Sequence, residues 1–466
     1  MRSKLSTFLL VLASAGIVAA CAHTVFADSS WTTTSGGTFD WNSSANWSGS
    51  FPPARTDTVR ITNDLISSQL ITNMGGSSAV DTTNTINMLI LSNPLGGASV
   101  TVQQAPGVYM VLSNGFQIGQ SGTLLIVSNA NFGFNSSLNF NLDAGGQGTL
   151  VLSNASATSG FSTFINSGQT AINNSGTIQF NPVGNQLVSI NYGQTGLLTN
   201  NAIGTVVMNG TGTGAFVGNF GSNNERILNN GSIFVQAGTF RIDSRNAFSG
   251  GGFQNAATGY VQINTNATFE LRRTTNAWTA GSAPTNFGTV FMNGGTMLAF
   301  DTDQNGNVIT NAGYATTNSS RVFENFGTIK GNGTILYSLN NLSGSTLAPG
   351  FGYQTLNVGG SVTLGSNSTF SAELGLLAGQ EDLLNVASNL TLNANSILDL
   401  SGGAVGNVYT VAVASAVSGT FGSVTPDYTV TYGSTDIAVQ FIPEPSTMLL
   451  VITGLGGVIA LRRRRR

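Results

Sequence analysis

The chain has 466 residues, a formal net charge of −3, one histidine, one cysteine and only 8% charged side chains. Residues 28–442 hold nine basic side chains against eighteen acids, near −9, which excludes the basic face that nucleic acid binding needs. A hydrophobic content of 41% excludes a disordered polar chain, and a single cysteine excludes a disulfide framework.

Residues 1–27 come first, with Arg2 and Lys4 as a basic start and an apolar run from Phe8 to Ala20. Small residues ending at Ala27 mark it as the expected cleavage site of a secretory signal peptide. Val18-Ala19-Ala20-Cys21 offers a second reading, a loose lipoprotein box that would place lipid on Cys21. Cleavage after Ala27 also removes His23, so Ser-His-Asp, Cys-His and His–metal chemistry are excluded from the exported body.

Residues 28–60 carry three of the four tryptophans, Trp31, Trp41 and Trp47, ahead of a Pro52-Pro53 break. They are expected to cap the first coil of a solenoid, whose ends need shielding. An aromatic sugar-stacking patch is the alternative.

Residues 61–343 are read as repeats. A unit of Asn, a short spacer, Gly, Thr or Ser, and a β-branched residue recurs, as in Asn174-Ser175-Gly176-Thr177-Ile178 and Asn286-Phe287-Gly288-Thr289-Val290. Its glycines fall at 176, 204, 231, 259, 288 and 327, with spacings of 28, 27, 28, 29 and 39. The copy at Asn255 to Val261 is the weakest. In the N-terminal half a related phrase ends in Ser-Asn: Leu91-Ser92-Asn93, Leu112-Ser113-Asn114, Val127-Ser128-Asn129 and Leu152-Ser153-Asn154, less evenly spaced. A period in this range means a solenoid. Short β-formers bounded by Gly and Ser-Asn turns, with no capped amphipathic helix, make it all-β.

The expected fold is a single-stranded parallel β-helix, right-handed, with targeting helices at both termini. Val, Ile, Leu and Phe ladders face in. Asparagines at tight turns are expected to adopt φ > 0 and to stack their amides from coil to coil. One pair of segments fixes the register. Thr239-Phe240-Arg241-Ile242-Asp243 and Thr268-Phe269-Glu270-Leu271-Arg272 lie 29 residues apart. Stacking them sets Phe240 on Phe269 and Ile242 on Leu271 inside, with Arg241 over Glu270 and Asp243 over Arg272 outside. Together with Arg245 and Arg273 these are the only dense polar cluster. It reads as a surface ion-pair ladder, or else as a charged substrate groove.

The repeat that lengthens to 39 residues contains Asp301-Thr302-Asp303-Gln304-Asn305-Gly306. Asp301, Asp303 and Asn305 at alternate positions match the first half of a calcium loop. The twelfth position is Ala312 instead of a bidentate Glu, so a Ca²⁺ ion here would be weakly held. A plain polar turn is the competing reading.

Residues 344–441 contain Leu347-Ala348-Pro349-Gly350, Thr355-Leu356-Asn357-Val358-Gly359-Gly360 and Asp382-Leu383-Leu384-Asn385-Val386. This stretch resembles the end of autotransporter-type β-helical passengers. The resemblance implies a β-solenoid and surface display; no 12-strand translocator follows the matching phrases.

Residues 442–466 begin Ile442-Pro443-Glu444-Pro445, continue as an apolar run from Met448 to Leu461, and end in Arg462 to Arg466. The run is short for a full span of about 20 residues. The arginines are expected to stay on the cytoplasmic side. Pro443, Glu444 and Pro445, the apolar run and the Arg cluster together resemble the PEP-CTERM sorting signal of Gram-negative bacteria. That resemblance implies a partner, a membrane protease of the exosortase type acting near Pro443–Pro445. It also implies transient anchoring in the inner membrane before release to the surface. An ordinary C-terminal anchor is the alternative.

The sequence therefore reads as an exported, non-enzymatic, structural or adhesive protein of the cell surface or extracellular matrix. Exopolysaccharide or matrix components are its expected partners. A carbohydrate-binding or polysaccharide-degrading β-helix is the alternative; no paired-carboxylate motif stands out for the latter.

Overall fold

The computed structural model describes residues 28–442, apart from 50–52, 54–56, 63–66, 75–83, 87, 93–97, 105–108, 113–115, 120, 128–130, 135–139, 143–147, 154–161, 168–171, 193–196, 219–225, 245–251, 275–282 and 303–321. The expected terminal targeting helices lie outside these residues.

The described chain is a parallel β-solenoid. Its strands join one continuous sheet, and each pairs with the strand one coil before and one coil after it. Three columns result. The first runs from Asp28–Ser30 through Ile172–Asn174, Leu197–Asn200 and Arg226–Asn229 to Val362–Leu364 and beyond. The second includes Thr149–Ser153, Thr177–Asn181, Thr205–Met208, Ser232–Val235 and Tyr260–Asn264. The third includes Leu187–Tyr192, Thr213–Gly218, Gly238–Ser244 and Ala267–Thr274. Among the described residues the one helical turn is Ser44–Asn46. The sheet passes position 343 without a break, since Thr328 pairs with Thr346 and Thr346 with Thr369. It finishes differently from how it runs. Asp436–Phe441 pairs antiparallel with Val408–Ser418 and with Tyr428–Tyr432.

The interior follows from period-2 alternation. In the second column Leu150, Ile178, Val206, Ile233, Val261, Val290 and Ile329 stack in register and are fully buried. A run of phenylalanines, Phe180, Phe216, Phe240 and Phe269, fills the space between columns two and three, with centroids 5.4–5.9 Å apart. Each such side chain contributes roughly 1.5–3 kcal/mol of burial. At the N-terminal end Trp31, Trp41 and Trp47 are 1–3% exposed and pack edge to face. The Trp31 indole donates to Gln69 of the next coil at 3.0 Å, and the Trp47 indole to the Trp41 carbonyl. Buried in this way, the three rings offer no face for a sugar, which corrects that alternative.

The repeat motif marks one corner of the coil. Asn174, Asn200, Asn229, Asn255, Asn286, Asn325 and Asn341 end successive first-column strands and form a buried column of carboxamides. Each Nδ2 donates to the next Oδ1 at 2.5–2.7 Å. The same nitrogens also donate to the backbone carbonyls of Thr205, Ser232, Tyr260, Thr289, Thr328, Thr346 and Thr369. The amide stacking agrees with expectation and the backbone conformation does not. Residues with φ > 0 include Asn73, Asn266 and Asn367 and none of the ladder asparagines. These asparagines are strand ends held by their hydrogen bonds, and the chain needs no left-handed residue there.

Candidate functional site

The charged cluster lies on the third column. Gly238–Ser244 and Ala267–Thr274 pair residue for residue: Phe240 with Phe269, Arg241 with Glu270, Ile242 with Leu271 and Asp243 with Arg272. The apolar members face in and the charged members face out, as the alternation requires. Their surroundings differ from expectation. Glu270 and Asp243 are only 4% and 3% exposed, so the cluster is neither a solvated ladder nor an open groove. The outward positions one coil earlier, Ala215 and Val217, are buried as well. This stretch of the column is covered on both faces.

Glu270 is the hub. One oxygen accepts from Arg241 Nε at 3.2 Å and the other from Arg272 Nε. Burial lowers the Arg241 guanidinium from its ordinary value; the neighbouring Arg272 charge works in the same direction and Glu270 opposes both. Both carboxylate oxygens are thus taken up by guanidinium donors. The arrangement suits a structural ion cluster better than acid–base work. Backbone register sets Arg273 beside Asp301 of the next coil. Arg245 and the side chain of Arg273 lie outside the description.

The other sequence-derived sites fall mostly outside it too. Asp301 is on the strand Thr289–Thr302, while Asp303 and Asn305 are not among the described residues. Within those residues no three His, Cys, Asp or Glu side chains gather to hold a metal. Ala27, Pro443, Glu444 and Pro445 also lie outside them. No helix among the described residues is long and apolar enough to cross a membrane.

One surface escaped the sequence reading. The outward face of the second column carries three ladders, the first being Thr177, Thr205, Ser232, Tyr260, Thr289 and Thr328. Gln179, Val207, Phe234, Gln262, Phe291 and Lys330 form the middle one. Phe234 packs against Tyr260 at 6.0 Å, and the Lys330 ammonium sits 5.8 Å above the Phe291 ring. Beside it run Asn181, Asn209, Gln236, Asn264, Asn293 and Asn332, every one a carboxamide. Gln262 donates to Asn264 at 2.8 Å, and Asn293 to Asn264 at 3.1 Å. The signal was available: these are the third and fifth residues after each repeat glycine. Counting forward from the glycine finds the face without any coordinates.

No protein-family model matches this chain, and no curated protein does. Its function is therefore argued from the surfaces themselves.

Proposed function

We propose that this protein is a structural or adhesive component displayed on the cell surface or in the extracellular matrix. The observation that supports this best is the outward face of the second column. It is an uncharged carboxamide ladder repeated over successive coils, with Lys330 the one ion in the ladder beside it. Such a face presents many identical weak hydrogen-bonding sites in a line, which favours avidity over turnover. Export through the segment ending at Ala27 and sorting through Pro443, Glu444 and Pro445 complete the reading. The tail resembles the PEP-CTERM signal, which implies an exosortase-type protease and a passing stay in the inner membrane. Calcium at Asp301, Asp303 and Asn305 is a separate proposal on which this function does not depend.

A second reading is favoured by a specific observation. Phe234, Tyr260 and Phe291 are half-buried rings on that same face, flanked by amides. Aromatic rings beside hydrogen-bonding amides suit sugar rings, so exopolysaccharide is the partner class to try first.

Fractionation of the native host, with intact mass and terminal peptides, tests the main reading. A product running from Asp28 to near Pro443, recovered outside the cell or on its surface, is the expected outcome. A product retaining Arg466 in the inner membrane would remove the matrix role.

A further inference from the structure

The C-terminal coils carry an exposed apolar patch, of which Phe351 alone has a ring contact, edge to face on Phe291 at 6.1 Å. Phe351, Leu376, Leu377, Val405, Val408 and Ile442 are each 47–76% exposed and make up most of the strongly exposed large apolar side chains among the described residues. They are far apart in sequence and lie on one corner. The first three belong to successive turns between the second and third columns, after Thr346–Pro349 and Thr369–Leu374. Val405 belongs to the next such turn, after Ile397–Gly402, and Val408 opens the strand that follows it. These turns are tied together. Asn407 donates to the Leu376 carbonyl at 3.1 Å, and the Tyr409 hydroxyl donates to the Gly375 carbonyl at 2.7 Å. Ile442 joins them because Gln440 pairs with Val408, so the chain runs on past the 403–407 turn. A contiguous exposed patch of this kind marks an interaction surface.

Chain length selects the occupant. Six residue steps separate Ile442 from Met448, where the apolar run of the tail begins. Six steps reach at most about 22 Å. Whenever that run is in a bilayer, Ile442 at the edge of the patch is within that distance of the lipid surface. We infer that this corner docks on the lipid bilayer while the protein is still tethered by its tail, laying the solenoid along the membrane until the tail is cut. The inference rests on the membrane reading of residues 448–461. The tether holds the patch at high local concentration, so a modest apolar contact is enough.

The test uses the chain from Asp28 to Arg466, which contains no cysteine, reconstituted in vesicles of phosphatidylethanolamine and phosphatidylglycerol. Leu376→Cys, Val405→Cys and the distant control Ile203→Cys each receive an environment-sensitive fluorophore. Flotation reports insertion of the tail, and quenching by lipids spin-labelled near the headgroup reports docking. The expected result is flotation of all three, a blue shift at 376 and 405, and quenching there several-fold above that at 203. Flotation with 376 and 405 as wet and as unquenched as 203 overturns the docking and leaves the tail reading intact. Shielding at 376 and 405 without lipid quenching also overturns it, and gives the patch to a protein partner. Failure to float removes the tail reading, and the docking with it.

Discussion

Asn255 shows what one residue does for the whole corner. Its Oδ1 accepts from Asn229, and its Nδ2 donates to Asn286 Oδ1 and to the Thr289 carbonyl. Asn255→Ala strands the buried Asn286 Oδ1 acceptor and leaves Asn229 Nδ2 only its long bond to the Tyr260 carbonyl, so a loss of about 2–3 kcal/mol is expected. Asn341 ends the column, and the next coil has Leu364 at its position. Asn341→Ala strands little, because Asn325 Nδ2 keeps the carbonyls of Gly327 and Thr346. About half the loss is expected there. Denaturant unfolding of both variants decides; equal losses would mean that the amides act singly and not as a chain. The glycines of the motif have a steric role. A Cβ on Gly259 would overlap Asn255 Oδ1 and the Asn229 carbonyl, and one on Gly231 the carbonyls of Gly204 and Asn201. None of the repeat glycines with a Cβ clash at this corner has a positive φ. Gly259→Ala is therefore expected to cost about 1–3 kcal/mol by overpacking, read in the same unfolding experiment. The sequence displayed the Asn-Gly pairing but not its cause. A motif of Asn and Gly looks the same whether it serves a left-handed turn or a close approach to a buried amide.

At the scale of strands, the Arg241–Glu270–Arg272 cluster carries the sharpest contrast. Glu270→Ala leaves two guanidiniums in a covered site with their shared acceptor gone. Breaking a buried pair costs about 3–5 kcal/mol, and the lower end is expected because both arginines keep some contact with water. Replacing Arg241, Glu270 and Arg272 by Met, Leu and Met together with the buried Asp243 by Leu leaves an apolar outer face beside Ala215 and Val217, and is expected to be near neutral. Thermal melts of the two variants separate a replaceable cluster from a required one: a quadruple variant as unstable as Glu270→Ala would show that the charges are required. Strand pairing here was legible because the charges alternate with the phenylalanines. Burial was not, since it depends on what lies over the strand. The Ser-Asn phrases of the N-terminal half show the complementary case. Leu91 ends a first-column strand, Leu112 a third-column strand, and Val127 lies at the end of a second-column strand. The phrase punctuates strands in every column, so its spacing could not match the coil. The Asn-Gly motif occupies one corner only, and its spacing therefore did.

For the whole molecule, the stacking predicts how the chain tolerates loss. Each coil touches only its neighbours, so stability is close to a sum of coil and interface terms. The first-column asparagines give the cutting points. Removing residues 201–229 joins Asn200 to Asn230, and returns the chain to the same corner one coil later. Asn200 then takes the place of Asn229 as donor to Asn255, and Ile233 takes the place of Val206 above Ile178. Every inward residue stays inward. Removing Phe234 alone is the smaller lesion by mass and the larger by physics. It turns Val235 outward and sets the following carboxamide against the core, because a one-residue slip exchanges the two faces of a strand. The whole-coil deletion is expected to keep a cooperative melt and an unchanged β-sheet circular dichroism signal per residue. The single deletion is expected to melt earlier and to broaden. If the coil deletion were the more damaging of the two, the coils would not be interchangeable units and the solenoid could not serve as a uniform presenting surface.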